Sequence, residues 1–344
     1  MEEKKILLGM SGGIDSTYAV TELRRQGYEV VGAFLKMTEE SEVSSAVRAA
    51  EALNVPLTIV DCTERFRNIV IENFLSEYAA ARTPNPCIVC NRFVKIAVLC
   101  ETAKAMGISK VATGHYAKIG YDETLGRYFI RKAADPRKDQ SYMLWRLTQE
   151  QLSMLELPLG SLMKSDIKEK AQEMALPNAD APESQDICFI PSGDYVSFVE
   201  ARKGEFPKGN FVDESGAKLG KHEGIIRYTV GQRKGLGISL GRPAFVMAID
   251  PALHTVMLTS DEAKIFSDAL VCKELNFMAL APGEYESVAG EGKVRYAAKP
   301  EEATAQILNG EAKLSFTRKV RAVTPGQSVV FYRGDRVLFG GMIE

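Results

Sequence analysis

Residues 6–20 read Ile6-Leu7-Leu8-Gly9-Met10-Ser11-Gly12-Gly13-Ile14-Asp15-Ser16-Thr17-Tyr18-Ala19-Val20. An apolar run of the kind that forms a buried strand ends in Ser11-Gly12-Gly13-Ile14-Asp15-Ser16, and a helix-compatible segment follows at once. Amides of a Gly-rich turn and the positive end of a helix together make an anion site. Ser11 and Ser16 add hydroxyl donors, and Asp15 is suited to hold a divalent ion against phosphate oxygens. No Gly-Lys-Ser/Thr follows, so this is not the Walker-type loop. The plain alternative, a tight turn that merely needs small residues, is less favoured in this context.

Outward from this stretch the first half alternates strand and helix. Strands are expected at 5–9, 29–35, 57–61 and 110–113, and helices at 16–26, 42–53, 65–80 and 92–106, with a Pro-rich break at 83–86. Repeated βαβ units predict an α/β fold with a doubly wound parallel sheet, ligands lying at the carboxyl ends of its strands. From about Gly204 long helical patterns stop, and short β-type runs appear at 225–230, 244–250 and 255–259. Further runs at 270–273, 292–296, 304–307, 312–316 and 328–332, separated by turn signals, predict a small β-barrel. The expected division is a catalytic domain over 1–204, a small mostly-β central domain over 205–265 and a C-terminal β-barrel over 266–344.

With 344 residues, 45% of them apolar and 26% charged, the chain has an ordinary soluble composition and room for more than one core. It carries no secretion-type leader and no membrane-length apolar run, so a cytoplasmic location is expected. Net charge is −2, which announces no polyanion; local basic faces can bind one, although a solvated charged face is the commoner explanation for either cluster alone. Lys313, Arg318, Lys319, Arg321 and Arg333 form one acid-free basic stretch, and Arg127, Arg131, Lys132, Arg137, Lys138 and Arg146 form a second cluster that also holds Asp135 and Asp139. Tyr142 and Trp145 fall beside the second, an arrangement suited either to stacking on RNA bases or to core packing.

Six cysteines in a chain this long do not make a disulfide scaffold, so paired ones point to catalysis or metal binding. Pro84-Asn85-Pro86-Cys87-Ile88-Val89-Cys90-Asn91 places two thiols just before the helix expected at 92–106. Helix amides there should lower the pKa of Cys90 for nucleophilic work. Cys188 lies within Glu183-Ser184-Gln185-Asp186-Ile187-Cys188-Phe189-Ile190; Cys62, Cys100 and Cys272 lack a motif and are expected in the core.

The Ser-Gly-Gly-x-Asp-Ser loop resembles the PP-loop of ATP pyrophosphatases, which cleave ATP between the α- and β-phosphates. Nearly end to end the chain resembles the bacterial tRNA-specific 2-thiouridylases, sulfurtransferases acting on the wobble uridine of certain tRNAs. The resemblance runs through Thr113-Gly114-His115-Tyr116, Lys138-Asp139-Gln140-Ser141-Tyr142, the Cys188 segment and Gly231-Gln232-Arg233-Lys234-Gly235-Leu236-Gly237. It closes on Val294-Arg295-Tyr296 and Thr324-Pro325-Gly326-Gln327-Ser328. It implies ATP binding by Gly9, Met10, Ser11, Gly12, Gly13, Ile14, Asp15 and Ser16, with Leu35 and Gly114 closing over the nucleotide and Mg²⁺ beside the phosphates near Asp15. Cys90 matches the nucleophile and Cys188 the cysteine that carries a persulfide; the two can end as a disulfide. Asn85, Pro86 and Cys87 match contacts to the target base. His115, Lys138, Asp139, Gln140, Arg295, Tyr296 and Gln327 match tRNA contacts. Many members of the family carry Asp where this chain has Cys87.

The implied reaction adenylates the uracil O2, making it a leaving group, and delivers sulfur from the persulfide. An upstream sulfur-relay protein or a cysteine desulfurase would supply that sulfur. Cys87, Cys90 and Cys188 also suggest a second carrier, a four-iron four-sulfur (4Fe-4S) cluster with one open iron. Structural zinc fits less well, because a fourth ligand with paired spacing is absent. Two rival functions use the same loop: an ATP-dependent amidotransferase or ligase, which leaves Cys90 and Cys188 without a task, and a non-catalytic nucleotide-sensing or tRNA-holding module.

Overall fold

A computed structural model describes residues 4–178 and 187–344. The part of the Cys188 segment at 183–186 lies outside the described residues. The first half is built from β1 (Lys4–Gly9), α1 (Ile14–Arg25), β2 (Tyr28–Lys36), α2 (Ser44–Ala52) and β3 (Leu57–Asp61). There follow α3 (Thr63–Phe66), α4 (Glu72–Ala79), α5 (Pro86–Cys90), α6 (Ile96–Ala105) and β4 (Lys110–Ala112). The strands β5 (Lys118–Asp122), β6 (Arg127–Arg131) and β7 (Leu155–Glu156) come next, with α7 (Gln149–Met154) leading into β7 and α8 (Lys164–Glu173) and α9 (Tyr195–Lys203) after it.

Five strands form a parallel sheet in the order β3-β2-β1-β4-β7. Ile6, Leu7 and Leu8 of β1 are fully buried because helices cover both faces. Tyr18, Ala19 and Leu23 of α1 join Ile6 and Leu8 on one side, while Ile96, Leu99 and Ala103 of α6 join Leu7 on the other. Strand order reverses between β1 and β4, so the loops leaving those two strands share the crevice where doubly wound sheets take ligands.

The helix expected at 92–106 starts earlier than its sequence suggests. Pro86 occupies the first turn of α5 with Asn85 as its cap, a position that tolerates proline because its amide would be unpaired anyway. A π-helical turn, Asn91–Lys95, then carries α5 into α6, and a second one, Arg67–Ile71, joins α3 to α4. The two thiols therefore lie inside the helix, one turn apart, rather than before it.

The central section has β8 (Gly209–Val212), β9 (Lys218–His222), β10 (Phe245–Asp250) and β11 (Thr255–Thr259) in one sheet, ordered β10-β11-β8-β9. The strand expected at 225–230 is instead a 3₁₀ turn, Ile225–Arg227. Its two adjacent isoleucines are both buried, which the alternating faces of a strand do not allow on one side.

The last section is a closed antiparallel barrel of β12 (Phe266–Phe277), β13 (Tyr285–Lys293), β14 (Glu301–Leu308), β15 (Glu311–Arg321), β16 (Ser328–Arg333) and β17 (Arg336–Ile343). The order is β12-β15-β14-β13-β16-β17, and β17 closes onto β12. In β14 the residues alternate between barrel interior and solvent, Ala303, Ala305 and Ile307 pointing inward. The hairpin β5–β6 was not foreseen; Arg131 of β6 pairs with Arg336 of β17, so a piece of the first half extends the barrel sheet. Tyr142 and Trp145 complete this weld. Both are fully buried, the Tyr142 hydroxyl donating to the Ser328 carbonyl at 2.8 Å and Trp145 Nε1 to Ser328 Oγ at 3.0 Å. They are core residues and present no face to RNA.

Candidate active site

The loop after β1 is held open by its own polar atoms. Ser16 Oγ donates to the Gly13 carbonyl at 3.0 Å and lies 3.2 Å from Ser11 Oγ, while Asn178 Nδ2 donates to the Gly12 carbonyl at 2.7 Å. Gly12 has a positive φ of 81°, and a Cβ there would fall 2.4 Å from the Ser45 carbonyl carbon, so only glycine fits. Gly13 caps α1 with no side chain of its own, leaving the first-turn amides of Ile14 and Asp15 without intrahelical partners. Gly114, after β4, packs against the same turn: a Cβ on it would lie 3.1 Å from Ser16 N. Gly9 ends β1 and Met10 follows it, buried and with its amide donating to the Ala33 carbonyl at 2.8 Å, while Leu35, farther along β2, packs against the cluster that holds Cys90. The structure thus brings residues 9–16 and Gly114 to one crevice, and Leu35 is not placed there by its packing.

Asp15 is not alone in this crevice. Lys164 Nζ, from the start of α8, and the Tyr116 hydroxyl each lie 2.5 Å from Asp15 Oδ1. Lys164 is buried, and its cation supplies the positive charge that the loop's own sequence lacks. Both contacts fall on Oδ1, and the carboxylate is partly exposed. A single carboxylate oxygen beside substrate phosphates suits Mg²⁺, which binds few protein ligands and keeps much of its water. Neither Lys164 nor Tyr116 was singled out from sequence; a lone Lys far along the chain carries no motif.

The three motif cysteines form a second group. Cys87 is exposed and Cys90 buried, and Cys90 Sγ lies 3.8 Å from Met37 Sδ, just past β2. Phe66, Phe74 and Phe189 belong to the same buried cluster as Cys90. The expected lowering of the Cys90 pKa is overturned: burial pushes it up to about 11, with Lys95 opposing and the Cys188 and Cys87 thiols adding to the rise. Cys90 lies past the first turn of the continuous helix that runs from α5 into α6, where the effect of the helix N-terminus has fallen off. Cys188 keeps an exposed surface, yet the protein packed around its sulfur holds the thiol above its ordinary value, with Cys87 adding to this and Lys95 opposing. Lys95, also missed in the sequence, is therefore the cation common to both thiols. His115 feels it too: burial, then the Lys95 charge, pushes its imidazole down to about 3, so it is neutral, with Nδ1 2.8 Å from Thr113 Oγ1. Among the described residues no three Cys, His, Asp or Glu side chains converge on one point, so this arrangement does not fit an iron–sulfur or zinc ligand set. Cys62, Cys100 and Cys272 are buried core residues, as expected.

Asp139, Lys138 and Cys87 all lie close enough to Tyr296 to act on its hydroxyl, whose pKa burial raises first. Tyr296 is 38% exposed, large for an aromatic beside a reactive segment. Lys293 Nζ lies 5.4 Å from its ring centre, a further cation at this face. Other residues expected to contact RNA also brace the fold. Asp139 accepts from the Ala133 amide at 2.9 Å and from Ser141 Oγ at 2.8 Å. Gln140 Oε1 accepts from the Tyr116 amide at 2.9 Å. Gln327 Nε2 donates to the Thr83 carbonyl at 2.8 Å, holding the segment of Asn85, Pro86 and Cys87 against the barrel. Arg295 donates to the Val230 carbonyl at 2.9 Å and to Thr324 Oγ1.

The two basic stretches are largely neutralised by the fold. Arg318 pairs with Glu301, Arg321 with Glu262, Arg131 with Asp335 and Arg146 with Glu274, while Arg127 donates to the Phe277 and Met278 carbonyls. Acids supplied by other segments meet these cations, which a linear count of charge does not register.

Three family descriptions match in succession: a tRNA methyl transferase HUP domain over 4–192, a tRNA methyl transferase PRC-barrel domain over 197–260 and an aminomethyltransferase beta-barrel domain over 267–343. Full-length relatives include the tRNA-specific 2-thiouridylase MnmA of Clostridium perfringens, 44% identical over 360 residues, covering 100% of this chain and 99% of the relative. The protein of that name from Acetivibrio thermocellus is 44% identical over 361 residues, covering 100% of both chains. The one from Carboxydothermus hydrogenoformans is 42% identical over 360 residues, covering 99% of this chain and 98% of its own.

Proposed function

The chain belongs to the tRNA-specific 2-thiouridylases, and from that premise we propose that it thiolates the wobble uridine of tRNA through an adenylated uracil and a persulfide on Cys188. Its matched domains are described as methyl transferases, but a loop built for phosphates and a pair of neighbouring thiols favour ATP-driven sulfur transfer.

The uracil O2 attacks the α-phosphorus of ATP, forming a C2–O–AMP bond and expelling pyrophosphate. The Gly12–Ser16 turn orients the phosphates, and Lys164 offsets their charge, so catalysis here is chiefly placement and electrostatics. Asp15 would hold Mg²⁺ beside the phosphates, and the ion would supply charge neutralisation for the pyrophosphate leaving group. The outer sulfur of the Cys188 persulfide then attacks C2, and AMP leaves with O2. Cys90 attacks Cys188 Sγ, breaking the sulfur–sulfur bond; the thiolated tRNA departs and a Cys90–Cys188 disulfide remains. Two electrons from an external thiol reductant restore both cysteines. Asn85, Pro86, Cys87 and Tyr296 form the face against which the extruded base lies, since its carbonyl is hidden while stacked in the anticodon.

The observation that carries this reading is the shared electrostatic setting of Cys90 and Cys188 beside Lys95, next to Cys87 and Tyr296. The exposed side of Cys188 suits loading by a sulfur-relay protein or a cysteine desulfurase. No helix among the described residues is long and apolar enough to cross a membrane, in keeping with a cytoplasmic enzyme meeting tRNA. The test is a single turnover with sulfur-loaded protein. Cys90→Ser should trap a tRNA–Cys188 disulfide adduct that a thiol reductant releases, and Cys188→Ser should still form AMP but no thiouridine. Parental thiolation by Cys188→Ser would overturn the route.

A further inference from the structure

The segment Gly231-Gln232-Arg233-Lys234-Gly235-Leu236-Gly237 has no task in the chemistry above. It continues to Ala244 as a loop around an open cavity of about 450 Å³. Arg233 and Arg242 line that cavity, no acid and no aromatic ring does, and Lys234 lies beside Arg233 in the chain. All three cations are exposed, and among the described residues none has an ion pair or a side-chain hydrogen bond, unlike the barrel arginines neutralised by acids.

The loop is braced rather than loose. Gln232 accepts from the Thr229 amide at 3.0 Å and donates to the Lys234 carbonyl at 3.0 Å. Leu236 and Ala244 are buried in the cluster that holds Cys90. Gly235 and Gly237 take positive φ values of 71° and 70°, which turn the chain sharply between the two arginines. Its root is stitched to the candidate base site: Arg295 holds the Val230 carbonyl, Arg321 donates to the Gly231 carbonyl at 3.1 Å, and Thr83 Oγ1 lies 3.4 Å from Thr229 Oγ1. Thr83 is the residue that Gln327 anchors, two positions before Asn85. The unpaired cations therefore belong to a loop whose root is tied to the segment that leads to Cys87.

We propose that residues 233–242 are a binding site for backbone phosphates of the tRNA, gripping the strand next to the extruded uridine. This rests on the reading of tRNA as substrate. Cations offer phosphodiester oxygens charge-assisted hydrogen bonds, and the lack of any ring to stack on a base makes the contact one of position, not sequence. A free nucleotide would want a surface for its base, which this cavity does not offer.

The test compares the full chain with Arg233→Gln/Lys234→Gln/Arg242→Gln. Fluorescence anisotropy measures affinity for unmodified tRNA over a salt series, and calorimetry measures affinity for a non-hydrolysable ATP analogue on the same proteins. Loss of three phosphate contacts should weaken tRNA binding and flatten the plot of log affinity against log salt by roughly 2 in slope. Affinity for the ATP analogue should stay at the parental value, which also reports an intact fold. An unchanged salt slope overturns the site, and so does an equal loss of analogue binding, which would assign the loop to free nucleotide. A parental chain that bound no tRNA would overturn the substrate reading itself, and this site with it.

Discussion

Two thiols one helical turn apart meet opposite surroundings: Cys87 faces solvent, while Cys90 is enclosed by aromatic side chains and touches Met37. Burial raises the pKa of Cys90, so at pH 8 its thiolate fraction is below that of an ordinary cysteine, and its reactivity grows as pH climbs toward 11. Peptide mapping after iodoacetamide treatment should find Cys87 alkylated well before Cys90 at pH 8. Lys95→Met removes the one cation opposing that rise, so it should slow Cys90 labelling further and shift its pH profile upward, leaving Cys87 little changed. A profile for Cys90 centred below pH 8 in the parental chain contradicts this. At the other end of the crevice, Lys164→Met leaves Asp15 without its ion pair. We predict AMP formation lower by about tenfold or more with tRNA affinity retained, since charge-assisted contacts to phosphate lie on one side of the chemistry only. The pairing of these residues was not legible in the chain. Asp15 is conspicuous inside its glycine loop, whereas Lys164, 149 positions away, has neighbours that say nothing of phosphate.

Among the elements, α5 was misjudged because Pro84 and Pro86 read as a break, although proline suits the first turn of a helix. The error moved Cys90 from before an expected helix start to a helix interior, where burial in the aromatic cluster raises its pKa instead of helix amides lowering it. By contrast the strand–loop–helix of β1 and α1 was readable almost to the residue, because small residues, caps and periodicity act locally there. The strand β17 and the hairpin β5–β6 escaped notice although each pairs with a chain neighbour, β17 with β16 and β5 with β6; only the seams of β17 with β6 and β12 join distant parts of the chain. β17 also carries a tight contact. A Cβ on Gly340 would fall 2.5 Å from the Trp145 ring, so Gly340→Ala must displace a fully buried indole. We predict a loss of about 1–3 kcal/mol, typical of overpacking, seen as a lower midpoint in denaturant unfolding. A midpoint equal to the parent's would show that the seam between the sheets yields freely.

At the scale of the whole molecule, a doubly wound sheet holds the phosphate crevice, and the barrel and central sheet meet at the segment that carries Cys87. Gln327 from the barrel holds Thr83, and Arg295 holds Val230 at the root of the 233–242 loop, so three parts of the chain converge on the face proposed to receive the target base. The α/β architecture and the barrel followed from periodicity and turn signals. The convergence did not, because it rests on long-range hydrogen bonds between residues with no local signature. The central claim is that sulfur reaches the uridine from Cys188, with Cys90 as the resolving thiol and no metal carrier. The most direct measurement is intact and peptide mass analysis of anaerobically prepared protein after loading by a sulfur donor, with iron and acid-labile sulfide assayed on the same sample and thiouridine formation followed for the parent and Cys87→Asp. The account predicts one added sulfur on Cys188, negligible iron, turnover by that iron-free protein, and substantial activity in Cys87→Asp. Thiolation found only in protein holding stoichiometric iron and sulfide, and lost with the cluster in Cys87→Asp, would contradict it.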